Sequence, residues 1–272
     1  MKQFLPLFIS ANFMSTKQMI KLFTEALKVG VRGFDTAREY RCESNVGEAI
    51  KVACKYTGVS RDEIFIQTRI SNEEIIKGNI KQEINISLKK MGLDYLDCFM
   101  FHWPTPNYYI GRWKELSDLC IGEYRTKIRN IGICNCRQRH LDEMIQNNCI
   151  LPDILQIEVT PFWQCKELIS FCQEKGIAIQ SFSPLCKMIE PIRENSILNS
   201  LAVKYNVSIP QLILRWNNQR NIIPISLTSK PRRVRENFDI FHFTISDEDM
   251  KIMSTLDCGY KYHLESATCL GF

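Results

Sequence analysis

Short apolar runs and helical stretches alternate along this 272-residue chain almost to its end, and that alternation limits the fold more than any other feature. Runs that fit strands cover 4–9, 31–34, 64–67, 97–101, 130–133, 154–158, 177–181 and 222–225. Strands that alternate regularly with helices form a parallel sheet. Eight such units in roughly 250 residues close into a (β/α)8 barrel. The expected fold is therefore α/β, a TIM barrel. No linker, low-complexity segment or longer repeat breaks the pattern, so residues 1–272 read as a single domain.

The helical stretches carry their own start signals. Ser15 and Gln18 form a capping-box pattern ahead of a helix over 16–29, whose apolar stripe is Met19, Ile20, Phe23, Ala26 and Leu27. Ser71 and Glu74 open what reads as one long helix, with Ile76, Ile80, Ile84, Leu88 and Met91 at helical spacing. Ser208 to Gln211 marks another start, because Pro210 is tolerated in a first turn. Ser246 to Asp249 begins a terminal helix reaching about Leu256, and the tail after Asp257 is expected to cross one face of the barrel.

Composition excludes several functions. The formal charge is +5, from 35 Lys and Arg against 30 Asp and Glu, and no long basic run accompanies it, which gives no footprint for nucleic acid. No apolar stretch approaches the ~18 residues of a membrane span, and the first residues lack the long apolar core of a signal peptide. A cytoplasmic protein with no membrane partner is expected. The 12 cysteines are scattered without scaffold spacing. Cys134, Cys136 and Cys165 do not form a zinc signature, so no metal is expected.

Barrel active sites lie at the carboxyl ends of the strands. Asp35 follows the second strand run, Tyr40 lies in its loop, Arg69 ends the third and His102 ends the fourth. Taken singly, each reads equally well as a cap, a rim residue or a satisfied loop histidine; their shared end of the barrel points to chemistry. Trp103 is read as a pocket wall, with core packing the alternative. Tyr108, Tyr109, Trp113 and Trp163 either line an apolar pocket or pack in the core.

The stretch Phe34-Asp35-Thr36-Ala37-Arg38-Glu39-Tyr40, followed by Glu43, Val46, Gly47 and Glu48 and later by Phe101-His102-Trp103-Pro104, resembles the aldo-keto reductase family. Leu93-Asp94-Tyr95-Leu96-Asp97, Ile131-Gly132-Ile133-Cys134-Asn135, Leu155-Gln156-Ile157-Glu158 and Ser183-Pro184-Leu185 extend the resemblance in order, over most of residues 15–257. It implies that Tyr40 donates a proton to a carbonyl oxygen, that Asp35 anchors a cation which tunes Tyr40 and that His102 orients the carbonyl. The family cation is a Lys; here the position holds Arg69. A guanidinium can supply the charge and pair with Asp35 through two donors, but it is planar and wider than an ammonium.

No G-x-G-x-x-G opens a helix after a strand, so a nicotinamide cofactor has to be held in the way the resemblance implies. Its carboxamide then meets Cys134, Asn135 and Gln156, and its ring stacks on Phe182. Ser183, Leu185, Ser226, Lys230, Arg233 and Asn237 follow along the cofactor. Ile225 stands where the family has Lys, and Lys230, in a loop two residues longer, is expected to restore the charge. The basic cluster favours NADP(H) over NAD(H). The reading is an NADPH-dependent reductase of a small-molecule aldehyde or ketone, or the reverse alcohol oxidation. The alternative is a cofactor-binding regulatory or catalytically impaired protein of the same fold, to which the departures at Arg69, Cys134 and Ile225 point.

Overall fold

A computed structural model describes residues 5–12 and 14–263. Its eight strands are β1 (Phe8–Ser10), β2 (Gly33–Asp35), β3 (Phe65–Ile70), β4 (Cys98–Phe101), β5 (Ile131–Cys134), β6 (Ile154–Glu158), β7 (Ala178–Phe182) and β8 (Ile222–Leu227). Each pairs in parallel with the next, and β8 returns to β1, so the sheet is a closed barrel. All eight expected strands are present. The first is shorter and later than the run 4–9, of which residue 4 lies outside the described residues.

Alternation along each strand sorts side chains into two compartments. Ile9, Phe34, Ile66, Phe99, Ile133, Leu155 and Ile179 face outward and join the helices in the main core. The inward residues fill the barrel in two levels. The lower level is apolar: Phe8, Ile223 and Ile225 pack together, and Cys98, Met100, Cys134 and Ile154 form a second group. The space is tight enough that a Cβ on Gly33 would lie 2.5 Å from the Phe8 ring. The upper level is polar and holds Ser10, Asp35, Gln67, Arg69, Gln156 and Gln180, all buried.

The capping boxes at Ser15–Gln18, Ser71–Glu74 and Ser208–Gln211 form as their spacing requires. The long helix expected after Ser71 is instead two, Asn72–Lys77 and Ile80–Met91. Gly78 ends the first at φ +58, and the Asn79 side chain accepts from the Gln82 N–H to start the second. The Arg112 guanidinium occupies the space a Cβ on residue 78 would need, 1.9 Å away. Ile76 is consequently off the buried stripe and 46% exposed. The last helix is Asp247–Ser254. The expected course of the tail is described only to residue 263, and its remainder lies outside the described residues. Among the described residues, no helix is long and apolar enough to cross a membrane.

Candidate active site

The polar upper level of the barrel opens into a groove of about 1050 Å³ at the carboxyl ends of the strands. The cavity brings together Asp35, Tyr40, Arg69, His102, Trp103, Asn135, Gln156 and Phe182, and with them Ser226, Arg233 and Asn237. Ser183 and Leu185 lie along it between these groups. Residues far apart in the chain thus share one surface because closure of the barrel sets all strand ends in a ring.

Asp35 is the most heavily bonded of them. Its Oδ2 accepts from the Ser10 hydroxyl at 3.0 Å, and its Oδ1 accepts from Gln67 at 2.7 Å, from Gln156 at 3.3 Å and from Arg69 Nη1 at 2.6 Å. Gln67 and Gln180 also exchange amide hydrogen bonds at 2.8 and 2.9 Å. A carboxylate buried this deeply is tolerated only when paired and hydrogen-bonded, and the amides beneath it complete that set.

Arg69 uses its second terminal nitrogen on Tyr40, donating from Nη2 to the hydroxyl at 2.7 Å. The hydroxyl is the acceptor in that contact. Burial works against the Arg69 charge, but Asp35 and then Tyr40 hold the guanidinium protonated, with its pKa above the ordinary arginine value. Burial pushes the Tyr40 phenol up and outweighs the Arg69 charge that would bring it down. The net direction is opposite to the tuning that the resemblance implies, because burial outweighs the single cation.

Tyr40 sits on the 3-10 turn Arg38–Tyr40. Arg38 fastens that turn to the helices behind it, donating to Glu43 at 3.1 Å, to Glu83 at 2.6 Å and to Ser87 at 2.7 Å. Glu39, between them, reaches the groove, where its Oε2 lies 3.0 Å from His102 Nδ1. The ring N–H direction is not aligned with that oxygen, so the contact is electrostatic rather than a well-formed hydrogen bond. Burial lowers the His102 pKa despite the carboxylate, which favours a neutral imidazole. The contact with His102 in turn holds the Glu39 carboxyl below its usual range, against its partial burial. Tyr40, His102 and Trp103 form a row of rings with centroid spacings of 6.4 and 6.3 Å.

The cofactor residues expected from sequence divide into three groups. Asn135 and Gln156 line the groove. Asn135, at φ +61, donates to the His102 carbonyl at 3.0 Å, and Gln156 donates inward to Asp35 and Gln180. Their side-chain oxygens remain as acceptors for an amide N–H₂. Phe182 and Ser183 line it as well, but the tail already touches them. The His263 ring meets Phe182 edge-on at 5.5 Å, and its Nε2 is 2.8 Å from Ser183 Oγ. That tail is fastened by the Tyr262 and His263 N–H groups, which donate to the Glu158 carboxylate at 2.6 and 2.8 Å.

Cys134 and Lys230 are not among the residues that line the groove. The Cys134 side chain packs in the lower barrel level, and burial pushes its thiol up to about 12, which makes it a poor donor to a carboxamide oxygen. Lys230 is the residue before the Pro231–Phe238 helix, and the basic side chains along the groove are Arg232, Arg233, Lys187 and Arg193. Asn237 donates to Ser226 at 2.7 Å and ties that helix to β8. The aromatic candidates left open by the sequence do not line the groove. Trp113 and Tyr109 are buried in the core, where Trp113 donates to the Ile150 carbonyl at 2.6 Å and Tyr109 bonds Glu143. Tyr108 is exposed, and Trp163 lines a separate cavity of about 420 Å³.

Gln67, Gln180 and Ser10 join the site without having been expected there. Gln67 and Gln180 were legible in principle, since each lies two positions from an inward residue, Arg69 and Phe182, on the same strand. Glu39, Lys187 and Arg193 carry no such signal, because their direction is set by loop conformation. The loop after β7 is unusual in this respect: Ser183, Cys186, Lys187 and Met188 all have φ between +43 and +56, a region that non-glycine residues seldom occupy.

The Aldo/keto reductase family model matches residues 6–257. The chain is 37% identical over 238 residues to a methylglyoxal reductase of Yersinia pestis, covering 87% of this chain and 83% of the relative. It is 36% identical over 233 residues to a glyoxal reductase of Bacillus subtilis, covering 85% and 81%. Among solved structures, an aldo/keto reductase of Brucella melitensis superposes with a TM-score of 0.82 at 32% identity, over 93% of this chain and 95% of that one. A Bombyx mori aldo-keto reductase in complex with NADP gives a TM-score of 0.86 at 27% identity, over 94% and 90%. With a match that spans nearly the whole described barrel and relatives above 30% identity along most of their length, this chain belongs to the aldo/keto reductase family.

Proposed function

We propose that the protein is an NADP(H)-dependent carbonyl reductase of small neutral aldehydes, with α-oxoaldehydes such as methylglyoxal the first class to examine. The relatives that carry the names methylglyoxal reductase and glyoxal reductase support the substrate class. The structural relative in complex with NADP supports the cofactor. The observation that carries the reading is the double donation by Arg69. An Arg turned wholly onto Asp35 would have left Tyr40 without its cation. The side chain instead reaches both partners at hydrogen-bond distance.

The groove fits a nicotinamide dinucleotide in its polar acceptors, its aromatic face and its basic end. Asn135 and Gln156 would accept from the carboxamide, Phe182 would cover one ring face, and Ser183, Leu185, Ser226 and Asn237 would follow toward the phosphates. Arg233 would meet the 2′-phosphate, with Lys187, Arg193 and Arg232 along the same wall. When bound, the reduced nicotinamide supplies a hydride to a carbonyl carbon.

This chain's residues supply the rest. His102, neutral, positions the carbonyl oxygen beside Tyr40. Tyr40 releases its hydroxyl proton to that oxygen as negative charge develops there. Arg69 stabilises the tyrosinate so formed through the Nη2 contact it already makes. Asp35 holds Arg69 in place and is itself held by Ser10, Gln67 and Gln156. Preorganised charge in a buried site supplies much of the rate enhancement of many enzymes, and here the charges are fixed before substrate arrives.

The test is NADPH oxidation by purified protein with methylglyoxal, with Tyr40→Phe alongside. Turnover that falls by about a thousandfold or more in the variant, while NADPH still binds, supports the assignment. NADPH binding without turnover on any aldehyde would instead favour the regulatory reading.

A further inference from the structure

We propose that Glu39 is a specificity-determining residue that makes the reactive end of the groove anionic and so rejects carbonyl compounds bearing a carboxylate or phosphate near the reacting carbon. The inference rests on the carbonyl-reductase reading and names the charge class that the same site accepts.

The charges that face the carbonyl position are few. Asp35 and Arg69 pair with each other at 2.6 Å in the buried level below. His102 is held toward its neutral form by burial. Glu39 remains. Its contact with His102 keeps the carboxyl below the usual range, so it is ionised wherever the enzyme works, and among the described residues no Lys or Arg forms a salt bridge with it. The reactive end thus carries one negative charge beyond its paired ions.

That charge is close and held in place. Oε2 lies 3.0 Å from His102 Nδ1, so a group in contact with the opposite edge of the ring is no more than about 8 Å from the carboxylate, given ordinary contact lengths. This is within one Debye length at physiological ionic strength, roughly 8 Å. The turn that carries Glu39 is anchored on one side by the bonds of Arg38 and on the other by the bond of Tyr40 to Arg69. The side chain is 45% exposed, so solvent weakens the field without abolishing it, and the effect is salt-dependent. Of the basic side chains along the groove, Arg232 and Arg233 belong to the Pro231–Phe238 helix tied to Ser226, and Lys187 sits over the Tyr262 ring; among the described residues none forms a salt bridge with Glu39.

A compact neutral aldehyde meets no penalty in this arrangement. A carboxylate attached next to the carbonyl meets a like charge across the width of one imidazole. Like charges set against each other are an effective means of rejecting a wrong ligand.

The decisive comparison uses two aldehydes of nearly the same shape, glyoxylate and its neutral methyl ester, with NADPH as reductant. The parent enzyme prefers the ester in kcat/KM by about tenfold or more. In Glu39→Gln that preference falls by about fivefold or more, and Glu39→Asp keeps most of it. A Glu39 that merely positions His102 would change both substrates equally, so an unchanged ratio in Glu39→Gln overturns the proposal.

Two measurements do not depend on the variant or on turnover. In the parent enzyme, raising salt from low to high concentration narrows the preference for the ester; a constant ratio overturns the proposal. By calorimetry in the presence of NADPH, the parent binds benzamide about tenfold more tightly than benzoate, or better. Equal binding overturns the proposal even if neither aldehyde is reduced, whereas absence of turnover together with the expected binding difference removes the reductase reading and leaves the charge filter standing.

Discussion

Arg69 joins Asp35 to Tyr40 through the two ends of one guanidinium, at 2.6 and 2.7 Å. The planar fork that distinguishes Arg from Lys is therefore used as a bridge. One prong neutralises a buried carboxylate and the other donates to the Tyr40 hydroxyl.

Replacing Arg69 with Met removes both contacts and leaves Asp35 buried without its cation. Breaking one side of a buried ion pair costs about 3–5 kcal/mol. The expected result in urea denaturation is a loss near the lower figure, because Ser10, Gln67 and Gln156 still donate to Asp35. Arg69→Lys keeps the charge; its kcat/KM for a small aldehyde should stay within about tenfold of the parent. A loss beyond roughly a hundredfold in a folded Arg69→Lys protein would mean that the two-pronged geometry itself is required.

The pH profile of reduction follows from two shifts. Burial raises the Tyr40 pKa above its ordinary value near 10, so the proton to be donated is present throughout the neutral and mildly alkaline range. Burial lowers His102, so the imidazole stays neutral below its ordinary value of about 6.5. Reductive kcat should be flat from about pH 6.5 to 9.5 on these reference values. A descending limb centred near about pH 8 would contradict the Tyr40 shift.

Stability toward acid should decline earlier than carboxylate titration alone would cause. Burial holds His140 down to about 4, with Arg139 acting in the same direction, and it lowers His102 as well. A histidine whose folded pKa is depressed takes up its proton first in the unfolded chain. The native state therefore loses stability as pH falls from about 6.5 toward the folded values, and the loss levels off only below them. The thermal midpoint should fall across that window, and His140→Asn should flatten the upper part of the decline. A midpoint constant down to about pH 4.5 would exclude this origin.

Cofactor preference is predicted to sit with Arg233 rather than Lys230. Charge-assisted hydrogen bonds to a phosphate contribute roughly 1.5–3 kcal/mol, which corresponds to a loss of NADPH affinity of about ten- to a hundredfold in Arg233→Ala. NADH binding, which lacks the 2′-phosphate, should move less than about threefold. Lys230→Ala should leave NADPH affinity within about threefold, since Lys230 does not line the groove. Fluorescence titration of each protein with both nucleotides decides the matter.

The tail adds a competitor. His263 occupies the edge of Phe182 and bonds Ser183, two groups that a bound dinucleotide would use. His263→Ala should tighten NADPH binding by a few-fold by removing that exchange; weaker binding would show that the imidazole assists the cofactor instead.

The architecture is open to sequence reasoning because its signals are local and repeated. Eight apolar runs, the capping boxes that begin at Ser15, Ser71 and Ser208, and a Pro in a first helical turn each depend only on near neighbours. Asp35, Tyr40, Arg69 and His102 are found by the family resemblance of the stretches that carry them, and the barrel rule sets them at one end of the fold. The single long helix expected after Ser71 fails for an equally local reason. The apolar spacing runs through Gly78, and only the left-handed turn there, filled by a guanidinium from a distant helix, shows the break.

Sequence alone therefore determined the barrel, the end of it that carries the groove, and the residue types gathered there, since strand alternation and helix caps act over a few positions. Tertiary structure decided what those residues do to one another. Closure of the sheet set Gln67, Gln156 and Gln180 beneath Asp35, turned Arg69 toward two partners, sank Cys134 below the groove and brought Glu39 against His102. Each of those outcomes depends on distances between strands and loops far apart in the chain, and on burial that no single segment can supply.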